Sequence, residues 1–396
     1  MRFGPVLLLR FVWRAFFGRG DRRVPWTARR VVVLLVFSPL LLLIQTLVWI
    51  GLLLDELLFP GYRKVGIKEP IFVVGIPRSG TTLLHRLLAL DTDRFISFRL
   101  WEVILAPSIT GRYFLTWVGR VDRALGGPGR RLIGAIEKRL LRDVNKMHKI
   151  GLFETEEDYL ILTPYAAHAL LLAPFPYEPE LEAVMRFDDA VPEAERARIM
   201  AFYKRCVQRH LYFHGPDKQL LSKNPGFSAM VASLDTTFPD CKVVCCARTP
   251  HDAVPSFCSL MSYFCGVVGV DAGQEQFRAL MLDACGYFYR HPQDCLAGWP
   301  ANRRAFVLYD ALTSDLRGTV TALYAALGLD MNPAFAEALA EEAARARTYK
   351  SRHSYDPADF GLTRENIREK YGDVFLSYGI PEDLSAGEEV RAEAAS

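Results

Sequence analysis

The sequence predicts an α/β fold, a P-loop-like, mostly parallel sheet flanked by helices and preceded by a hydrophobic membrane helix. Three observations carry that prediction. Residues 71–91, IFVVGIPRSGTTLLHRLLALD, open with four apolar residues of a short buried strand. A loop bounded by Gly75 and Gly80 follows, and then Leu83, Leu84, Leu87, Leu88 and Leu90 recur at helical spacing. Further apolar runs, QLLSK at 219–223, CKVVCCA at 241–247 and AFVLY at 305–309, are separated by helical stretches such as 193–214 and 320–327. That alternation builds a parallel sheet. Finally, residues 31–54 are almost continuously apolar, a run longer than the ~20 residues that cross a bilayer.

Taken in order, residues 1–60 form a basic, amphipathic N-terminus with the membrane segment at 31–54. Eight arginines stand in residues 1–30 against Asp21 alone, so the rest of the chain is net acidic. The basic excess is local, which argues against nucleic acid as a partner and for anionic lipid. Pro39 sits inside the apolar segment and offers a kink. Two orientations are open. The positive-inside rule keeps residues 1–30 cytoplasmic and sends the remainder across, as in a type II, lumenal protein. A kinked or re-entrant segment leaves the main domain facing the cytoplasm. None of the eight cysteines makes a CxxC pair, and no N-x-[ST] sequon occurs. Reduced thiols favour the cytoplasmic placement. The main domain is expected at 68–385, with an insertion at 111–180 that forms a lid or acceptor site, and a polar tail at 386–396.

The loop at 75–82 is one residue away from G-x-x-x-x-G-K-[ST]. Thr81 stands where that motif carries its phosphate-reaching lysine, and Arg78 supplies a cation within the loop instead. Arg78, Ser79, Gly80, Thr81 and Thr82 then surround the helix N-terminus, where free N–H groups and the helix dipole favour an anion. Such a loop suits a phosphate-like group and is poorly equipped for ATP or GTP. No metal constellation is evident.

PRSGTTLLHRLL resembles the 5′-phosphosulfate-binding loop of the sulfotransferase family. That family uses 3′-phosphoadenosine 5′-phosphosulfate (PAPS) as its sulfonate donor, without a metal. The likeness continues at three later places. Lys223-Asn224-Pro225 ends a strand where the family carries a lysine near the transferred group. Arg248, with Ser256 eight residues on, resembles the family's 3′-phosphate motif. The segment around Lys350 and Arg352 is similar to the basic loop that closes over the nucleotide. The resemblance implies sulfonate transfer to a hydroxyl, or as a second choice an amine, with Arg78 and Lys223 stabilising the leaving phosphate. The histidine that some branches use as base is missing beside Lys223, so Glu102 in Leu100-Trp101-Glu102 is the expected base, with His148 as a further acid/base candidate. Glu156 and Glu157 read as acidic residues opening a helix. A hydrophobic or lipid acceptor is expected from the apolar stretch 159–179 and the membrane segment. A P-loop kinase or nucleotidase, or an inactive membrane protein keeping the fold, are the alternatives, and Thr81 speaks against the first.

Overall fold

The computed structural model describes residues 2–17, 24–140, 151–271, 273, 275–346 and 360–381. Five strands form one sheet: β1 (Ile71–Gly75), β2 (Phe95–Ile96), β3 (Gln219–Lys223), β4 (Lys242–Ala247) and β5 (Arg304–Leu308). Their order is β2-β3-β1-β4-β5, and every neighbouring pair is parallel. The three central strands are buried almost throughout, as expected where helices cover both faces. Side chains alternate between the faces. Ile71, Val73, Leu221, Val244 and Cys246 pack with Leu84, Leu87 and Leu88 of the helix that follows the first loop. Phe72, Val74, Leu220, Val243 and Cys245 point to the larger core on the other face. There Phe72 meets Tyr203, Phe227 and Phe238. All eight cysteines are unpaired, and seven are buried.

The helix expected at 193–214 spans Glu193–His214 and lines the larger core. The apolar N-terminal segment is helical over Ala28–Leu58, longer than 31–54 at both ends, and continues through Pro39. Thr27 caps it by accepting the Arg30 N–H at 3.2 Å. It is not isolated from the domain. An inward stripe from Arg30 through Ser38 and Gln45 to Asp55 is buried. Asp55 accepts the N–H groups of Ile109 and Thr110, each at 2.8 Å, and pairs with Arg209 at 2.9 Å. The shorter helix Pro5–Phe17 buries Leu7, Leu8 and Phe11 against the same core. Within 111–180, helices Ile109–Ala124 and Pro128–Leu140 are joined by Asp122, whose carboxylate accepts the Gly129 N–H at 2.6 Å.

Candidate active site

The parallel register sets Val73 of β1 beside Lys223 of β3, and Gly75 of β1 beside Cys246 of β4. The loop after β1, Lys223 and Arg248 therefore emerge side by side at the carboxyl edge of the sheet, where open α/β folds bind ligands.

Two backbone features make the loop. Gly75 has φ of +128°, and a Cβ there would stand 2.0 Å from the Cys246 carbonyl oxygen, so no larger residue fits. Its N–H donates to Ser228 Oγ at 2.8 Å. Gly80, at φ of +88°, precedes the helix Thr81–Leu88 without any side-chain cap. The first-turn N–H groups of that helix have no intrahelical acceptor and meet at one point. Arg78 adopts φ of +73°, uncommon for a non-glycine residue. Ser79 is buried, and its Oγ donates to the Ile76 carbonyl at 2.7 Å.

Arg78 also joins the loop to the second expected anion site, since its Nε donates to Ser256 Oγ at 3.1 Å. Ser256 lies on the helix Pro250–Val267, directly after β4. Arg248 Nη2 donates to Asp252 at 2.9 Å, its guanidinium sits 4.5 Å over the Tyr309 ring, and its Nε is buried without a partner. Thr249 Oγ1, next to it, is likewise buried and unpartnered. Unpaired buried donors of this kind suit an anion that completes them. Tyr309 also edges against Gly80, where an added Cβ would lie 2.9 Å from its ring. The Arg248 carbonyl is held by the Tyr289 hydroxyl at 2.6 Å, and Tyr378 braces the Tyr289 carbonyl at 2.8 Å.

Lys223 is 1% exposed and lies among carboxylates. Its Nζ is 3.1 Å from Glu157 Oε1 and 3.8 Å from Glu156 Oε2. Glu157 precedes the short helix Asp158–Tyr165 without a side-chain capping bond, and its carboxylate is instead turned to Lys223, a partner that its acidic sequence context did not reveal. Asp158 beside it accepts from Tyr203 at 2.5 Å and Ser222 at 2.9 Å, and burial pushes its carboxyl up to about 7. Burial, assisted by the Lys223 charge, holds His85 down at about 3. A cavity of about 100 Å³ adjoins this group, lined by Pro77, Glu157, Tyr159, Asn224, Leu260 and Phe264 among others. Its walls are predominantly apolar, with Glu157 and Asn224 as polar exceptions.

Glu102 is placed elsewhere. It is fully buried, and its Oε1 is 2.5 Å from His214 Nε2, 3.7 Å from Arg112 Nε and 4.0 Å from His210 Nδ1. Burial pushes its carboxyl up, but its charged and hydrogen-bonding neighbours, Arg112 and His214 among them, more than offset this and hold it below the ordinary carboxylate range. His210 is itself buried and held far below its ordinary value, so Arg112 is the buried cation that Glu102 compensates. Glu102, His210 and His214 bring ligand atoms within 4.8 Å of one another, a metal-like spacing, but the adjacent Arg112 guanidinium opposes a dication. Glu102 does not line the cavity beside Lys223. Lys350, Arg352 and His148 lie outside the described residues. Tyr309 and Glu157 contact the candidate residues Arg248 and Lys223, a placement not expected from the sequence. Tyr309 was visible as the last residue of the run 305–309, at the end of a strand.

The chain is 26% identical over 322 residues to the omega-hydroxy-beta-dihydromenaquinone-9 sulfotransferase Stf3 of Mycobacterium bovis, covering 78% of this chain and 75% of the relative. The Stf3 protein of Mycobacterium tuberculosis gives the same figures. In fold, the chain is similar to sulfotransferase STF9 from Mycobacterium avium, with a TM-score of 0.69, 16% identity, and coverage of 96% of this chain and 98% of that one. Sulfotransferase STF1 from Mycobacterium tuberculosis H37Rv follows with a TM-score of 0.64, 21% identity, and coverage of 93% and 92%. Residues 70–333 match the sulfotransferase family, and the chain belongs to it.

Proposed function

We propose that this sulfotransferase moves a sulfonate group from PAPS to a hydroxyl of a hydrophobic, lipid-like acceptor. The observation that carries the reading is the 3.1 Å bond from Arg78 to Ser256. It supports a reading in which one adenosine bisphosphate spans both proposed anion sites. Loop N–H groups, Thr81 and Thr82 hold the sulfated end, and Arg248 with Ser256 holds the ribose 3′-phosphate; the Ser79 hydroxyl is already committed to the Ile76 carbonyl and shapes the loop instead. The acceptor side rests on the apolar cavity next to Lys223. The 26%-identical Stf3 proteins, named for a hydroxylated menaquinone, support a lipid alcohol as the acceptor class.

In this reading the acceptor oxygen attacks sulfur in line. A new S–O bond forms as the bond from sulfur to the bridging oxygen breaks, and that electron pair leaves with adenosine 3′,5′-bisphosphate (PAP). Arg78, Lys223 and the loop N–H groups stabilise the charge growing on the departing oxygen. Glu157 is the carboxylate that faces the cavity, so in this proposal it accepts the hydroxyl proton, and Glu102 serves to neutralise Arg112. Lys350 and Arg352 remain proposed nucleotide contacts from the family likeness. The test is incubation of membranes containing the chain with ³⁵S-labelled PAPS, followed by lipid extraction. Label is expected in the organic phase and is expected to disappear with Arg248→Ala. Transfer of label from γ-³²P-ATP instead would overturn the reading.

A further inference from the structure

We propose that this chain docks on an anionic bilayer from one side only, with the helix Ala28–Leu58 lying within a single leaflet and not crossing it. The inference rests on packing and charge and is independent of the reaction proposed above.

The inward stripe of this helix touches the same body at both ends. Near its start, Gly269 approaches so closely that an added Cβ would lie 3.0 Å from the Arg30 nitrogen. Phe37 meets Phe175, and Trp49 meets both Tyr165 and Phe202. Asp55 and Glu56 close the far end on Arg209, at 2.9 and 2.7 Å. At 1.5 Å per residue, the stripe from Arg30 to Asp55 runs about 37 Å, more than the ~30 Å hydrocarbon core. A crossing helix would drag that length of the body into lipid, with the Arg209 ion group and the Glu195 carboxylate that accepts the Phe3 N–H at 3.0 Å. Charges at that depth are strongly disfavoured.

The outward face is different. Leu35, Leu43, Leu47, Ile50, Leu53 and Leu57 are each 49–78% exposed. The two neighbouring helices add Trp13 and Phe17 on one side, and Phe114 and Trp117 on the other, all at least 59% exposed. A soluble surface rarely carries so much contiguous apolar area, and aromatic residues at its margin suit the headgroup level. Exposed arginines stand at both ends. Arg10 and Arg29 lie near the start, while Arg14 beside them is paired with Glu178 and Glu180. Arg63, Arg198 and Arg205 line a cavity of about 400 Å³ together with Trp49, Leu53 and Glu56; Arg63 pairs with Glu56 and Arg198 with Glu195, which leaves Arg205 as the cation offered to a headgroup there. Guanidinium groups beside apolar walls match an anionic headgroup and its acyl chain.

The test uses the full chain. Flotation with vesicles of phosphatidylcholine containing 30% phosphatidylglycerol is compared with flotation on pure phosphatidylcholine. Binding at least tenfold stronger to the anionic vesicles is expected. The doubly substituted Leu43→Glu/Leu47→Glu chain, altered only at exposed positions, is expected to bind at least tenfold more weakly with an unchanged melting temperature. Sidedness is read with Pro25→Cys and Lys64→Cys in sealed membrane vesicles, using a membrane-impermeant maleimide and subtracting the labelling of the parent chain. Both sites label, or both are protected, if the helix stays on one side. One site protected and the other labelled overturns the proposal, as do equal binding to neutral vesicles and undiminished binding of the double variant.

Discussion

Replacing Glu157 by Gln separates chemistry from architecture. Glu157 Oε1 lies 3.1 Å from Lys223 Nζ, and its side chain is 27% exposed at the cavity. Removing its charge leaves Lys223 with Glu156 at 3.8 Å as a counter-ion. A partly exposed pair of this kind contributes about 1 kcal/mol, so the melting temperature should fall by only ~1–2 °C. Loss of a general base costs ~10²- to 10⁴-fold in turnover, or about 2.7–5.4 kcal/mol in the barrier. PAP binding should be retained. Glu102→Gln should show the reverse pattern. It strips the counter-charge from Arg112, whose side chain is wholly buried. Breaking a buried pair costs about 3–5 kcal/mol, a drop of roughly 4–6 °C for a chain of this length, while turnover per folded molecule changes little. The assay pairs thermal unfolding with ³⁵S transfer from PAPS at saturating donor. A well-folded Glu102→Gln protein that has lost a hundredfold in turnover, beside an active Glu157→Gln protein, would refute the assignment.

Two further outcomes follow from local geometry. Gly75→Ala should prevent folding to a soluble, PAP-binding protein, because its Cβ would meet the Cys246 carbonyl at 2.0 Å. Gly80→Ala should be milder, since the ring edge of Tyr309 can yield; expression and melting of the two variants check the ranking. His291 is pulled down by burial, but its 2.9 Å contact with Asp188 and its approach to Cys295 raise it to about 9. A raised histidine stabilises fully below its unfolded value near 6.5, and that stabilisation is lost as pH rises through about 9. The melting temperature should therefore decline across that window, and His291→Gln should flatten the decline.

Much of this arrangement is legible in the chain. The strand-loop-helix at 71–88 is local, because two glycines and a leucine stripe specify it without help from distant residues. Lys223 and Arg248 could be placed because each ends an apolar run, and parallel pairing then aligns the ends. β2 could not be seen: two residues, Phe95 and Ile96, carry no periodicity, and their strand form depends on β3. The pairing of Glu157 with Lys223 spans 66 positions and depends on tertiary packing. The lie of the helix Ala28–Leu58 was encoded but easily overlooked. Arg30, Ser38, Gln45 and Asp55 fall on one stripe, separated by sums of three- and four-residue steps, which marks a face packed on protein. Hydropathy averaged over a window hides that stripe.

The central claim is that one nucleotide bridges the loop at Ser79 and the Arg248–Ser256 pair. Calorimetric binding of PAP compared with 5′-AMP, which lacks the 3′-phosphate, tests it most directly. Charge-assisted hydrogen bonds from Arg248 and Ser256 are worth ~1.5–3 kcal/mol each, so PAP should bind at least ~10²-fold more tightly than 5′-AMP. The Arg248→Ala/Ser256→Ala protein should bind the two nucleotides alike. Equal binding of PAP and 5′-AMP by the unaltered chain, or a preference kept by the double variant, would contradict the account.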